Sequence, residues 1–321
     1  MKTPKRKFYF IVNPASKSGK GLRIFHKIKP ILEEENISYR VYFTTKNRSA
    51  THITTKILEK DTSGSVRIIA LGGDGTVNEV VQGIGNTGSF DRVIFGYLPT
   101  GSSNDLARDL GYGGDTEAIL RHLLQSGSYR RMDVGCLQYK RSASLKGSCR
   151  YFAVSCGIGF DASICYEALN SPFKDFFNRI GLGKLTYGAI AIKQLFTSKL
   201  CGCRIYLDDR APLLFKNCYF ASVMNHRYQG GGFKFCPDAT DNDGKMDLCI
   251  AHGITPFGVL RLLPLAAVGK HVGKQGIHID TAKKVRIRFD EPHWVHTDGE
   301  VKTKATDVWV KCLGGKLKMM V

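Results

Sequence analysis

The sequence predicts an α/β protein: an N-terminal nucleotide-binding domain on a parallel sheet, then a C-terminal domain of antiparallel, sandwich-like β structure. Three observations carry this. Strand-like and helix-like runs alternate through the first third of the chain. Three loops rich in Gly, Asn and Ser fall where those strands end. From about residue 129, short β-like runs take over.

The elements follow in order. "KFYFIVNP" reads as a strand, and "KGLRIFHKIKPILEEEN" as a helix with apolar spacing at Leu22, Phe25, Ile28, Ile31 and Leu32. "SYRVYFTT" and "SATHITTKILEKD" repeat the pair, then "SVRIIALGG" with "TVNEVVQGIG", then "RVIFGYLP" with the helix start "SSNDLARDLG". Strands and helices alternating at this length imply parallel pairing with right-handed crossovers. Beyond the boundary come "RRMDVGCLQY", "RYFAVSCGIG", "CRIYLDD", "NCYFASVMN", "MDLCIAH", "KVRIRF", "WVHTDGE" and "ATDVWVKCL", interrupted by helical insertions near 171–198 and 255–272. The expected domains are 1–129 and 130–321, with a return of the extreme C-terminus to the first domain left open.

Composition narrows the function. Lys and Arg number 47 against 28 Asp and Glu, a formal net charge of +19. Such an excess calls for an anionic partner: nucleic acid, a phosphorylated ligand or an acidic lipid surface. No nucleic-acid module or basic-aromatic array is present, so nucleic acid is not expected. No stretch offers the roughly 20 uncharged apolar residues of a membrane span, and "FYFIV" is too short for a signal segment. A cytoplasmic protein is expected, associated peripherally with the inner membrane face. The ten cysteines all follow residue 135 without CxxC spacing and read as mostly reduced, partly buried apolar residues.

The run "LGGDGTVNEVVQGI" closes a strand and opens a helix. Gly72, Gly73 and Gly75 permit close backbone approach and positive φ. The helix from Thr76 points N–H groups and a positive dipole end at the loop, which suits phosphate. Asp74 fits such a site if a Mg²⁺ lies between carboxylate and phosphate.

Together, "LGGDGTVNEVVQGI", "NPASKSGKG" and "LPTGSSNDLAR" resemble the diacylglycerol-kinase catalytic family, especially its soluble bacterial lipid kinases. The resemblance spans nearly the whole chain and implies an active site in the cleft between the two domains, with ATP as phosphate donor and Mg²⁺ as cofactor. It places Asn13, Pro14, Ser16 and Gly19 near the nucleotide, and Thr45 on ATP. Gly72, Gly73, Asp74, Gly75, Thr76, Val77, Asn78 and Glu79 would wrap the phosphates. "PTGSSND" departs from the family's PxGTxND by a serine, Ser102, which keeps the hydroxyl; Asn104 and Asp105 complete that loop.

In the second domain, "HTDGE" resembles the segment that supplies the family's general base. Glu300 would accept the acceptor's proton, with Asp298 orienting it or assisting a metal. "PDATDNDGKMDL" resembles a structural Mg²⁺ loop, with the Asp243 carboxylate and the carbonyls of Thr240 and Lys245 as ligands. Asp133 matches an aspartate tied to the Asp74 network. The resulting expectation is a lipid kinase that phosphorylates a lipid alcohol, foremost diacylglycerol, at an anionic membrane surface. A homodimer stays open. An NAD kinase-like phosphotransferase shares GGDGT, and a non-catalytic lipid- or nucleotide-binding regulator is the rival from another class. "SPFKDFFNRIGLGKLTYG" mixes aromatics with cations in a manner suited to a membrane interface or a packed helix.

Overall fold

The computed structural model describes residues 7–139, 149–170 and 183–320. The chain divides into two compact units, one taking in Met1–Asp133 with Gly315–Val321 and the other Val134–Gly314.

The first unit is a parallel sheet between helices. Strands β1 (Lys7–Val12), β2 (Ser38–Phe43), β3 (Val66–Gly72) and β4 (Val93–Pro99) lie in the order β2-β1-β3-β4. The near-continuous apolar character of β1, β3 and β4 follows from burial on both faces. Phe8, Phe10, Val12, Ile69 and Leu71 pack with Phe25, Ile28 and Leu32 of α1 (Ser16–Glu34) and with Leu120 and Leu123 of α5 (Thr116–Gln125). Helices α2 (Ala50–Lys60) and α3 (Asp74–Thr87) pack against each other. The close of β13 (Glu300–Met320) joins this sheet parallel to β4, with Lys318 opposite Ile94.

Two features differ from the sequence reading. Helix α4 is only Asp105–Asp109, because Gly111 turns left-handed (φ +70°) and ends it. Helix α5 was not expected, although Asp115 caps it through Glu117 N (3.0 Å) and Leu120, Leu123 and Leu124 line one face.

The second unit is antiparallel. The expected strand "RYFAVSCGIG" is two strands, β6 (Arg150–Phe152) and β7 (Ser155–Gly159). Strand β5 (Tyr129–Gln138) enters this unit and pairs with β6. Strand β9 (Leu213–Met224) pairs with β7, β8 (Cys201–Leu207) and β10 (Met246–His252), and β12 (Lys284–Thr297) pairs with β7, β8 and β13. Strand β11 (Ile277–Ala282), also unexpected, edges β10. Ile158, Ile205, Val223, Ile250, Ile287 and Val308 meet in its core. Helix α6 (Phe160–Asn170) follows β7 directly; the helices Gly183–Thr197 and Pro256–Ala267 account for the described parts of the expected insertions. Most of "SPFKDFFNRIGLGKLTYG" lies outside the described residues.

Eight cysteines are free, as expected of reduced thiols, but Cys136 and Cys149 are bonded. They lie 13 positions apart in sequence, and β5–β6 pairing brings their Cα atoms to 5.5 Å. Their spacing alone carried no sign of this.

Candidate active site

Each unit carries its own set of predicted residues. In the first, all loops in question leave the carboxyl ends of parallel strands, where open α/β sheets bind ligands. After β1, Asn13 folds its side chain back: Oδ1 accepts from Ala15 N (3.1 Å) and Nδ2 donates to Thr76 Oγ1 (3.3 Å). Beyond Pro14, the residues Lys17, Ser18 and Gly19 are all left-handed (φ +44°, +54° and +87°). Two non-glycine residues in that region each cost on the order of 1–3 kcal/mol, a strain that clusters at ligand-binding loops. Ser16 Oγ meets Thr100 Oγ1 at 2.7 Å and so ties this loop to the one after β4.

The loops after β3 and β4 touch backbone to backbone. Thr100 N donates to Gly72 O (2.7 Å), and a Cβ on Gly101 would lie 2.5 Å from Gly73 Cα. A Cβ on Gly72 would lie 2.2 Å from Thr76 Oγ1. Close approach is therefore what these glycines provide. The positive φ expected of the run is not found at Gly72, Gly73 or Gly75; Gly73 is extended (φ −103°, ψ −173°).

Across this contact the Asp74 carboxylate accepts from Asp105 N (3.0 Å) and Leu106 N (3.4 Å), the opening amides of α4. A carboxylate at a helix N-terminus is the favourable polarity. Asn104 takes a left-handed φ (+50°), donates to Gly101 O (3.1 Å) and accepts from the Tyr97 hydroxyl (3.2 Å). Burial, then the charges of Asp74 and Asp105, push that phenol's pKa well above its ordinary value. Asp105 is buried and paired with Arg108 (3.2 Å), whereas Ser102 is exposed.

The rest of the predicted set is divided. Thr45 is exposed in a small turn with Arg48. Thr76 and Val77 donate their N–H groups to Gly73 O (2.9 and 3.2 Å). Val77 and Asn78 are buried in α3, and Glu79 Oε2 accepts from Ala50 N (2.6 Å), the first amide of α2. The structure thus draws Glu79 to the start of α2, while Asn13, Ser16, Gly72, Gly73, Asp74, Asn104 and Asp105 meet around the strand ends. Thr100, Gly101 and Tyr97 belong with them. They passed unnoticed because their roles are contacts between loops. Asp133, fully buried, accepts from Gly315 N (2.5 Å).

In the second unit, the β12–β13 turn has left-handed Asp298 (φ +48°) and Gly299 (φ +84°), as a two-residue hairpin requires. Asp298, expected to orient the base or assist a metal, accepts three main-chain N–H groups with its carboxylate, from Ala153 (2.9 Å), Val154 (2.8 Å) and Ser155 (2.9 Å). It anchors the turn. Glu300 follows, half-buried, its carbonyl accepting from Arg150 (2.9 Å).

The Asp243 turn carries Gly244 at φ +75°, and Asp243 Oδ1 accepts from Lys245 N (2.9 Å). Burial pushes the nearby Asp247 carboxyl up to about 6; the Thr281 hydroxyl opposes this, while the charges of Asp243 and Asp238 add to it. Among the described residues, no group of three or more His, Cys, Asp or Glu side chains could hold a metal ion. A cation in this turn would depend on carbonyl oxygens such as those of Thr240 and Lys245.

The architecture is a parallel α/β unit, with the GGDGT and PTGSSND loops at its strand ends, and an antiparallel β unit that carries the DGE turn. Residues 7–137 match the family model of the diacylglycerol kinase catalytic domain, and residues 156–321 match that of the YegS C-terminal NAD kinase beta sandwich-like domain. A protein named diacylglycerol kinase from Bacillus subtilis is 28% identical over 90% of this chain and 88% of its own length. One named probable lipid kinase YegS-like, from Chromohalobacter salexigens, is 30% identical over 75% of this chain and 72% of its own. The crystal structure of a diacylglycerol kinase from Bacillus anthracis superposes with a TM-score of 0.68 at 20% identity, covering 99% of this chain and 98% of that one, and shows the shared fold. The chain belongs to the diacylglycerol kinase family of lipid kinases.

Proposed function

We propose that this protein transfers the γ-phosphate of ATP to the free hydroxyl of diacylglycerol, giving phosphatidic acid, with Mg²⁺ as cofactor. The observation that carries this reading is the junction of the GGDGT and PTGSSND loops, where Gly73 and Gly101 meet and the Asp74 carboxylate spans to the α4 amides. A Cβ at Gly101 would strike Gly73 Cα (2.5 Å), so only glycines let the two loops meet, and the α3 N-terminus beside them suits phosphate oxygens.

The donor set fits magnesium. The Asp74 carboxylate stands at the junction of the two loops, bonded to the Asp105 and Leu106 amides, and one or two carboxylates with substrate phosphates are the usual complement of this ion. Bound there, the ion would neutralise charge on the phosphates. Asn13, Ser16 and Asn104 would orient the donor, and the α3 N-terminus would face its negative charge. Glu300 acts as general base: it takes the hydroxyl proton as the acceptor oxygen bonds to phosphorus and ADP departs. A second, structural Mg²⁺ in the Asp243 turn would be held by the Asp243 carboxylate together with the carbonyls of Thr240 and Lys245. With +19 net charge, the protein docks peripherally on an anionic bilayer, where its acceptor resides.

The test is labelled ATP with Mg²⁺ and a mixed lipid extract, with NAD as a competing acceptor. Label in phosphatidic acid is expected. Label in another lipid phosphate revises the acceptor, and label in NADP overturns the lipid reading.

A further inference from the structure

Behind the DGE turn lies a buried polar chain that starts at His296, the first residue of "HTDGE", to which the sequence reading gave no role. His296, 1% exposed, stands two residues before Asp298 on β12. Gly299 N donates to its Nδ1 (3.2 Å). Because Nδ1 accepts, Nε2 carries the proton, and it donates to Asp161 Oδ2 (2.9 Å). Asp161, 8% exposed, opens α6; its other oxygen accepts from Ala162 N (2.8 Å). Gln229 donates to the same Asp161 Oδ2 (3.2 Å) and accepts from the fully buried Ser222 hydroxyl (2.7 Å).

The site is made to hold this pair. Gly157 faces His296 across the β7–β12 ladder, and a Cβ there would lie 2.2 Å from Asp161 Oδ2 and 2.7 Å from His296 Nε2. A buried carboxylate–imidazole pair is costly unless its bonds are satisfied, so a purely structural demand would be met more simply by apolar packing. What the chain reaches is the Gly299 amide, one residue before Glu300.

We propose that His296, oriented by Asp161, is a positioning residue for Glu300: it fixes the Gly299 peptide, and Asp298 fixes the other side of the turn. This rests on the reading of Glu300 as general base. Misplacing a reacting group by about 1 Å can cost on the order of 10²-fold in rate, so a second anchor on a left-handed turn has a kinetic consequence.

The test uses the full chain, ATP, Mg²⁺ and diacylglycerol in mixed micelles, with kcat and both KM values measured. His296→Ala should lower kcat by about 10- to 10²-fold while both KM values stay within about twofold. His296→Asn, whose amide oxygen can still accept from Gly299, should recover most of the loss; His296→Gln, which reaches Asp161 instead, should not. That pair decides the matter even if the alanine variant fails to fold. His296→Ala combined with Glu300→Gln should be no slower than Glu300→Gln alone. Equal rates for the Asn and Gln variants, a loss confined to KM, or multiplicative losses would overturn the positioning role. A slow Glu300→Gln with fast His296 variants removes this proposal alone. A Glu300→Gln as fast as the parent removes the base, and the proposal with it.

Discussion

The Asp298 carboxylate holds three main-chain N–H groups of the β6–β7 connection, and Glu300 stands two residues further on. The two acids should respond differently to the same isosteric change. Hydrogen bonds to a charged acceptor contribute about 1.5–3 kcal/mol each, with less than full additivity. Asp298→Asn turns an NH₂ group toward amides that need an acceptor, so urea denaturation should show a loss of roughly 2–4 kcal/mol. An unshifted midpoint would remove Asp298 as the anchor of the turn. Glu300→Gln should keep the parent midpoint and the parent ATP affinity yet lose about 10²–10⁴-fold in single-turnover transfer. Asp74 combines both kinds of role. On the proposed reading, Asp74→Asn should lower turnover by about 10²-fold or more by deleting the charge that would face metal and phosphate. Steady-state rates over a Mg²⁺ titration check this; a near-parental rate with an unchanged Mg²⁺ requirement would exclude the assignment.

At the scale of elements, Asp61 ends α2 and ties it to β1. It accepts from the Tyr9 hydroxyl (2.6 Å) and the Ser63 hydroxyl (2.5 Å), and its carbonyl accepts from Arg92. Burial opposes its ionisation, but the bonds from Ser63 and Tyr9 and the charge of Lys7 outweigh that and hold the carboxyl at about 2. A folded pKa below the unfolded value, here 3.8, means the ionised form favours folding. That contribution is present above pH 3.8 and is lost as pH falls through about 2. Asp61→Asn should therefore melt below the parent at neutral pH, and the two melting curves should converge as pH falls toward 2; a constant gap would show the bonds, not the charge, to be what matters. Elements also mark where sequence periodicity ran short. The α5 pattern Leu120–Leu123–Leu124 lies just before the strand-rich half, where β texture dominated the reading. Strand β11 has no fully buried run, its residues being half-exposed up to Ala282, so it carries little apolar signal.

For the whole molecule, no helix among the described residues is long and apolar enough to cross a membrane, and the net charge is +19. Association with anionic vesicles should be strong at low ionic strength and should fall as salt shortens the Debye length to about 8–10 Å. Equal binding to neutral vesicles in high salt would replace electrostatic docking with apolar insertion. By itself the sequence determined the α/β-then-β order and the placement of the GGDGT and PTGSSND loops at strand ends. These are local properties, written in apolar period and in glycine placement. Only the tertiary structure decided what individual residues hold. It gave Glu79 to the first amide of α2, turned Asp298 onto the backbone of Ala153–Ser155, pressed Gly73 against Gly101, and set His296 and Asp161 behind the turn that carries Glu300. The physical reason is distance along the chain: Glu79 and Ala50 lie 29 residues apart, His296 and Asp161 135, and Asp298 and Ala153 145, and a contact between residues so separated leaves no period or spacing to read.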